Sequence, residues 1–227
     1  MMDIITNFFN VSVLHQSLPL LLPGLWTTLK LGVVGIVAGL VGGLLVALMR
    51  LYGNPLTKFF ARMYIDIFRS IPLLVLMIVI YYALPFVGVR LSPFMSAITA
   101  FTLVSTAYTA EIFRAGIEAI PRGQFEASAA LGLSYRHMMG EIILPQAVKI
   151  VVPALTNNCI NVMKDTSLAS VVAMPDLLKQ ATQAQALMAN PTPLIGAAVI
   201  YIALLLPMVT IVARLEKRYK IGARGRE

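Results

Sequence analysis

Long apolar runs separated by short polar breaks dominate the chain, a pattern that lipid rather than water selects. The first run covers about Leu25 to Met49, is uncharged from Leu31 onward and is closed by Arg50. A polar break with Asn54, Pro55, Lys58 and Arg62 leads to a second run from about Tyr64 to Phe86, and a third follows from about Pro93 to Ile117. The fourth begins near Val148, is interrupted by Asn157, Asn158, Asn161, Lys164 and Asp165, and resumes at Leu168 to Met174. A loop from Gln180 to Pro193 separates it from the fifth, about Leu194 to Ala213. Each run is near the roughly 20 residues that cross a bilayer as a helix, so the pattern predicts an all-α membrane protein with about five transmembrane helices. Ahead of them, Ile4, Ile5, Phe8, Phe9 and Val13 predict a short helix lying at the interface. Gly35, Gly39 and Gly43 recur every fourth residue of the first span, a stripe that lets another helix come close.

Composition agrees with the pattern. Hydrophobic residues make up 59%, charged residues 12% and the mean hydropathy is +0.83, whereas a soluble domain is roughly half apolar and a quarter charged. The net charge of +8 does not indicate nucleic acid, because Lys and Arg sit at the ends of apolar runs and in the C-terminal stretch, without interleaved aromatics. One cysteine, Cys159, excludes an intrachain disulfide, and His15 and His137 have no metal-ligand spacing, so no metal is expected. There is no Gly-x-x-x-x-Gly-Lys-Ser/Thr phosphate loop, and no nucleophile, base and orienting group form a recognisable catalytic set. The chain therefore reads as a non-enzyme without a directly bound cofactor. Asp3 and the lack of early Lys or Arg argue against a cleavable signal peptide. With neither a long linker nor an internal repeat, residues 1–227 read as a single domain.

Charge at the span ends orients the spans. Arg50, Lys58, Arg62, Arg114, Arg122, Arg136 and the basic stretch from Arg214 to Glu227 share one side, which the positive-inside rule makes the cytoplasm. Five spans then put the N-terminus outside, the C-terminus inside and the loop of about residues 119–145 in the cytoplasm.

Ionisable groups within apolar spans cost on the order of 3 kcal/mol each and demand a reason. Asp66 and Arg69 are three residues apart on one helix and can pair, as can Glu111 and Arg114. In the fourth span Asn157, Asn161 and Asp165 share one helical face, widened by Thr156 and Asn158. A polar face in lipid must look inward. Pro153 and the run Lys164-Asp165-Thr166-Ser167 predict a broken helix that exposes backbone groups to a cavity. Charges of both signs suit a zwitterion such as an amino acid; interhelical hydrogen bonding by the asparagines is the plainer alternative.

The stretch Glu126 to Pro145 turns small, polar and helical. Glu126 to Ala130 predicts a short helix ended at Gly132, and a second short run carrying Arg136 and His137 stops at Pro145. Two short helices joined at a glycine form a knob that a partner protein can approach closely. Its spacing, Glu126-Ala127-Ser128, then Gly132, Ile142 and Leu144-Pro145, resembles the cytoplasmic loop of permease subunits of bacterial ATP-binding-cassette (ABC) importers. Tyr64 to Leu74, Ala107-Tyr108-Thr109-Ala110-Glu111 and Lys164 to Leu168 resemble the polar amino-acid branch of that family. The likeness runs from about Leu20 to Arg218; departures at Ser70-Ile71, Cys159 and Asn161 fall on the expected substrate face.

The resemblance implies a multi-pass subunit of the bacterial cytoplasmic membrane that forms the substrate pathway as a dimer, with itself or a homologous permease. It implies two ATPase subunits that hold ATP and magnesium, and an extracytoplasmic substrate-binding protein. Glu126, Ala127, Ser128, Ala130, Gly132 and Arg136 are the expected ATPase-coupling residues; Asn157, Asn158, Asn161, Asp165, Tyr108, Glu111 and Asp66 are the expected substrate-binding ones. A competing reading, an ion-coupled carrier or channel using Glu111 and Asp165, would favour inverted repeats with matching broken helices, and only one broken span is legible.

Overall fold

The computed structural model describes residues 8–224, where all regular structure is helical. Helix α1, Val11–Tyr52, has 42 residues, about 63 Å at 1.5 Å per residue and twice the hydrocarbon thickness of a bilayer. Asn10 caps it by accepting from the Val13 N–H at 3.2 Å. Of the residues expected in an interfacial helix, Ile4 and Ile5 lie outside the described residues, Phe8 is helical and separated from α1 by Phe9 and Asn10, and Val13 belongs to α1. The helix continues through Pro19 and Pro23 because Leu14 and Leu21 pack against the last two helices of the chain.

The second span is bent. Helix α2, Pro55–Ser70, is capped by Asn54 with proline at its first position. It meets α3, Leu73–Ile78, which continues through a π turn at Val79–Ala83 and a 3-10 turn at Leu84–Val87, at an angle of 98°. Pro72 is the cause: it offers no N–H, and Ile71 before it is extended.

Helix α4, Pro93–Glu118, occupies the middle. Its buried face is mostly small, with Ala97, Ala100, Ser105, Ala107 and Thr109, and the glycine stripe of α1 lies directly against it. A Cβ at Gly39 would overlap Ser105, and one at Gly43 would come within 2.5 Å of Thr109 and 3.0 Å of the Ala110 backbone. The close-packing role expected of the stripe is therefore present.

Two short helices follow, α5 at Arg122–Ala130 and α6 at Tyr135–His137, then a π turn at Met138–Ile143 leads into α7, Leu144–Asp165. Helix α7 runs unbroken through Pro153; the break comes at Asp165, where the chain tightens into a 3-10 helix, Thr166–Val172. The segment expected as a loop after Gln180 is instead α8, Leu177–Met188, started by Asp176, which accepts backbone hydrogen bonds. Helix α8 lies against α1 through Leu21, Leu177 and Ala181, and its N-terminal Leu177 N–H donates to Thr28 at 3.0 Å. Helix α9, Thr192–Arg224, closes the described chain.

Three helices satisfy length and hydropathy for a span, and the bent α2–α3 pair makes up to four. Helix α4, expected from the sequence as a span, is 26 residues long but is not among the helices that satisfy both criteria. Small, polar side chains are tolerated there because neighbouring helices, rather than lipid, cover it.

Candidate functional site

The bend in α2–α3 and the end of α7 enclose an open cavity of about 590 Å³ beside α4. The extended Ile71 and Pro72 contribute backbone to its wall, and the tight turn after Asp165 closes the other side. Its polar groups are Arg69, Ser70, Ser105, Tyr108, Asn158, Asn161, Lys164 and Asp165; Phe101, Val104 and Leu168 supply apolar surface. Cations and a carboxylate thus face one space with hydrogen-bonding amides between them. That arrangement can hold the two opposite charges of an amino acid and orient its side chain.

Four of the seven expected substrate residues meet here: Tyr108, Asn158, Asn161 and Asp165. Asn158 also reaches α4, its Nδ2 donating to Thr109 Oγ1 at 3.4 Å. Asn157 and Asp66 are exposed but do not line this cavity. Glu111 lies one turn along α4 from Tyr108, outside the lining, and is held by arginines from three helices. Its Oε2 is 3.0 Å from Arg50 Nη1, and its Oε1 is 2.6 Å from Arg114 Nη2 and 3.5 Å from Arg69 Nη1. Arg114 also pairs with Glu118. The Glu111–Arg114 pair is the one expected from spacing. Asp66–Arg69 is replaced: Arg69 turns to Glu111 and to the ring of Tyr108, 5.6 Å from its centroid. Among the described residues Asp66 forms no ion pair. Arg69 and Lys164, absent from the expected substrate set, are the cavity's cations.

The loop after α4 has its own small core, Ile120, Met139, Ile143 and Ala147, with Phe125 and Ile142 packed on it. Gly132 supplies the turn with φ +71°, open space surrounding the position where a Cβ would stand. Ser134 then caps α6. Glu126, Ala127, Ala130, Gly132 and Arg136 are exposed, whereas Ser128 faces inward at 2% exposure, its Oγ donating to Gln124 O at 2.6 Å. Leu131 stands out at 78% exposure beside them, a residue absent from the expected coupling set.

Comparison with known proteins adds an independent line. The family described as "Binding-protein-dependent transport system inner membrane component" matches residues 39–221. The arginine transport system permease protein ArtQ of Bacillus subtilis (strain 168) is 37% identical over 206 residues, 90% of this chain and 94% of that protein. The probable glutamine ABC transporter permease protein GlnM of the same organism is 36% identical over 214 residues, covering 92% and 97%. Among solved structures, a chain of an amino acid ABC transporter crystallised with histidines superposes with a TM-score of 0.83 at 36% identity, covering 88% of this chain and 94% of that one. A chain of the MetNI methionine ABC transporter in an inward-facing conformation gives 0.68 at 25% identity, covering 88% and 96%.

Proposed function

The chain belongs to the family of binding-protein-dependent transport system inner membrane components, and on that premise we propose that it is the membrane-spanning subunit of an ATP-driven amino-acid importer. The observation that carries the amino-acid reading is the cavity at the α2–α3 bend, where Arg69, Lys164 and Asp165 offer both signs of charge beside Asn158 and Asn161. A substrate carboxylate would sit toward the cations and its ammonium toward Asp165, with the asparagines meeting the side chain. The relatives named for arginine and glutamine and the solved amino acid transporter support that substrate class.

In this reading the subunit pairs with a second copy or a homologous permease in the bacterial cytoplasmic membrane. Two ATPase subunits hold ATP and magnesium and dock on the exposed side of residues 119–145. An extracytoplasmic binding protein delivers substrate at the opposite face. Closure of the ATPases would move α5 and α6, and the π turn continuous with α7 would carry that displacement to Asn158, Asn161 and Asp165. Uptake by the assembled complex in proteoliposomes tests it. Accumulation of a labelled amino acid should require ATP inside with the ATPase subunits; accumulation driven by a proton or sodium gradient without ATP would overturn the reading.

A further inference from the structure

A second polar cleft lies at the opposite end of the arginine cluster. It measures about 450 Å³ and is lined by Arg50, Lys58, Arg62 and Arg114, with Phe59 and Glu118. Arg50 and Arg114 are neutralised by Glu111 and Glu118. Lys58 and Arg62 form no ion pair among the described residues. They sit one turn apart on α2 with Asp66 another turn on, outside the cleft. Two uncompensated cations therefore face a space big enough for a phosphate group.

The surroundings of the cleft say where such a phosphate comes from. It lies where α1 ends and α2 begins, the end of the span assigned to the cytoplasmic side by charge. On α2 the cations alternate with large apolar side chains that no part of the chain covers: Leu56 is 65% exposed, Phe59 60% and Phe60 50%. A cation pair with an adjoining apolar surface suits a headgroup whose acyl chains stay in the bilayer. A soluble anion would leave those rings with nothing to cover them. We propose that Arg50, Lys58, Arg62 and Arg114 form a binding site for the phosphate of an anionic phospholipid, whose acyl chains lie over Leu56, Phe59 and Phe60.

The test uses the assembled complex containing this chain, purified in detergent, loaded with phosphatidylglycerol or phosphatidylcholine and weighed by native mass spectrometry. Phosphatidylglycerol should remain bound where phosphatidylcholine is lost. Lys58→Gln/Arg62→Gln should weaken retention by roughly 30-fold, the effect of removing two cations at a membrane surface. The equally charge-reduced Lys149→Gln/Lys217→Gln should retain the lipid. Thermal stabilisation by phosphatidylglycerol should disappear in the first variant alone, which checks that the altered complex is still folded. Equal retention of both lipids, unchanged retention in the first variant, or equal loss in both variants would overturn the proposal. Displacement of the lipid by millimolar inorganic phosphate would reassign the cleft to a free anion and overturn it as well.

Discussion

Arg69 at the end of α2 is 3.5 Å from Glu111 of α4 across the two helices. At the same time its guanidinium lies 5.6 Å from the centroid of the Tyr108 ring on the wall of the cavity. The same side chain therefore belongs to a structural ion cluster and to the candidate substrate site. The 3.5 Å contact is looser than the 2.6 Å one from Arg114, so Arg69 is the arginine with least to lose by turning to a substrate carboxylate.

The cluster depends on one carboxylate. Glu111→Gln keeps the shape and removes the charge that Arg50, Arg69 and Arg114 share. Breaking a largely buried pair by removing one partner costs on the order of 3 kcal/mol, because the remaining charges stay desolvated. Melting of the purified complex should fall clearly for Glu111→Gln and partly recover for Glu111→Asp. An unchanged melting temperature for Glu111→Gln would show that the arginines are solvated without it.

A pH effect is expected from Asp176, which lies outside the candidate spans and is fully buried. Burial raises its pKa from 3.8 to about 6, opposed by the N–H groups of Lys179 and Leu178 and by the Lys179 charge. Because the folded value lies above the unfolded one, its contribution to stability is fully present below pH 3.8 and is lost as pH rises through about 6. The full change is up to about 3 kcal/mol for a shift of this size. Asp176→Asn preserves a good helix cap and should flatten the dependence of melting temperature on pH between 4 and 6. A slope identical to the parent's would place the titration elsewhere.

The docking loop gives a cleaner separation of folding from coupling. Leu131 is 78% exposed next to the left-handed Gly132, so Leu131→Asp removes no internal packing. If the ATPase covers this tip, the variant should lower transported substrate per ATP several-fold, or prevent co-purification, with the melting of the permease unchanged. Normal coupling with normal assembly would move the contact to another side of the loop.

These outcomes also mark what was legible in the chain. Apolar runs, the glycine stripe and the Gly132 turn were readable because each rests on a local rule: span length, four-residue spacing, a position needing positive φ. The 98° bend was not anticipated, although Pro72 and the extension it imposes on Ile71 were visible. Whether a proline kinks, bends or is absorbed depends on neighbours; Pro153 is absorbed in α7. The partner of Arg69 is hidden from the sequence for a similar reason. Spacing offers Asp66 as its partner, and only the crossing of α2 and α4 brings Glu111 within reach. The α8 segment reads as a loop in the sequence because its polar Gln and Thr residues mask the alanine that packs on α1.

The polar face of α7 can now be divided. Asn161 is exposed to the cavity, Asn158 lines it while bonding Thr109, and Asn157 lies outside it. If the cavity holds the substrate, Asn161→Ala should change which amino acids are carried, since a site built to hydrogen-bond a polar group rejects one that cannot reciprocate. Asn157→Ala, on the same helix and equally conservative, should leave the ranking unchanged. Asp165→Asn should impair uptake of every amino acid, because each brings an ammonium group. If the asparagines only join helices, each such bond contributes roughly 0.6 kcal/mol. Asn158→Ala would then be the most destabilising of the asparagine changes, and none would reorder the substrates. Competition uptake with a panel of acidic, basic and neutral amino acids, at matched expression, separates the two. An unchanged ranking for Asn161→Ala would place the substrate away from α7.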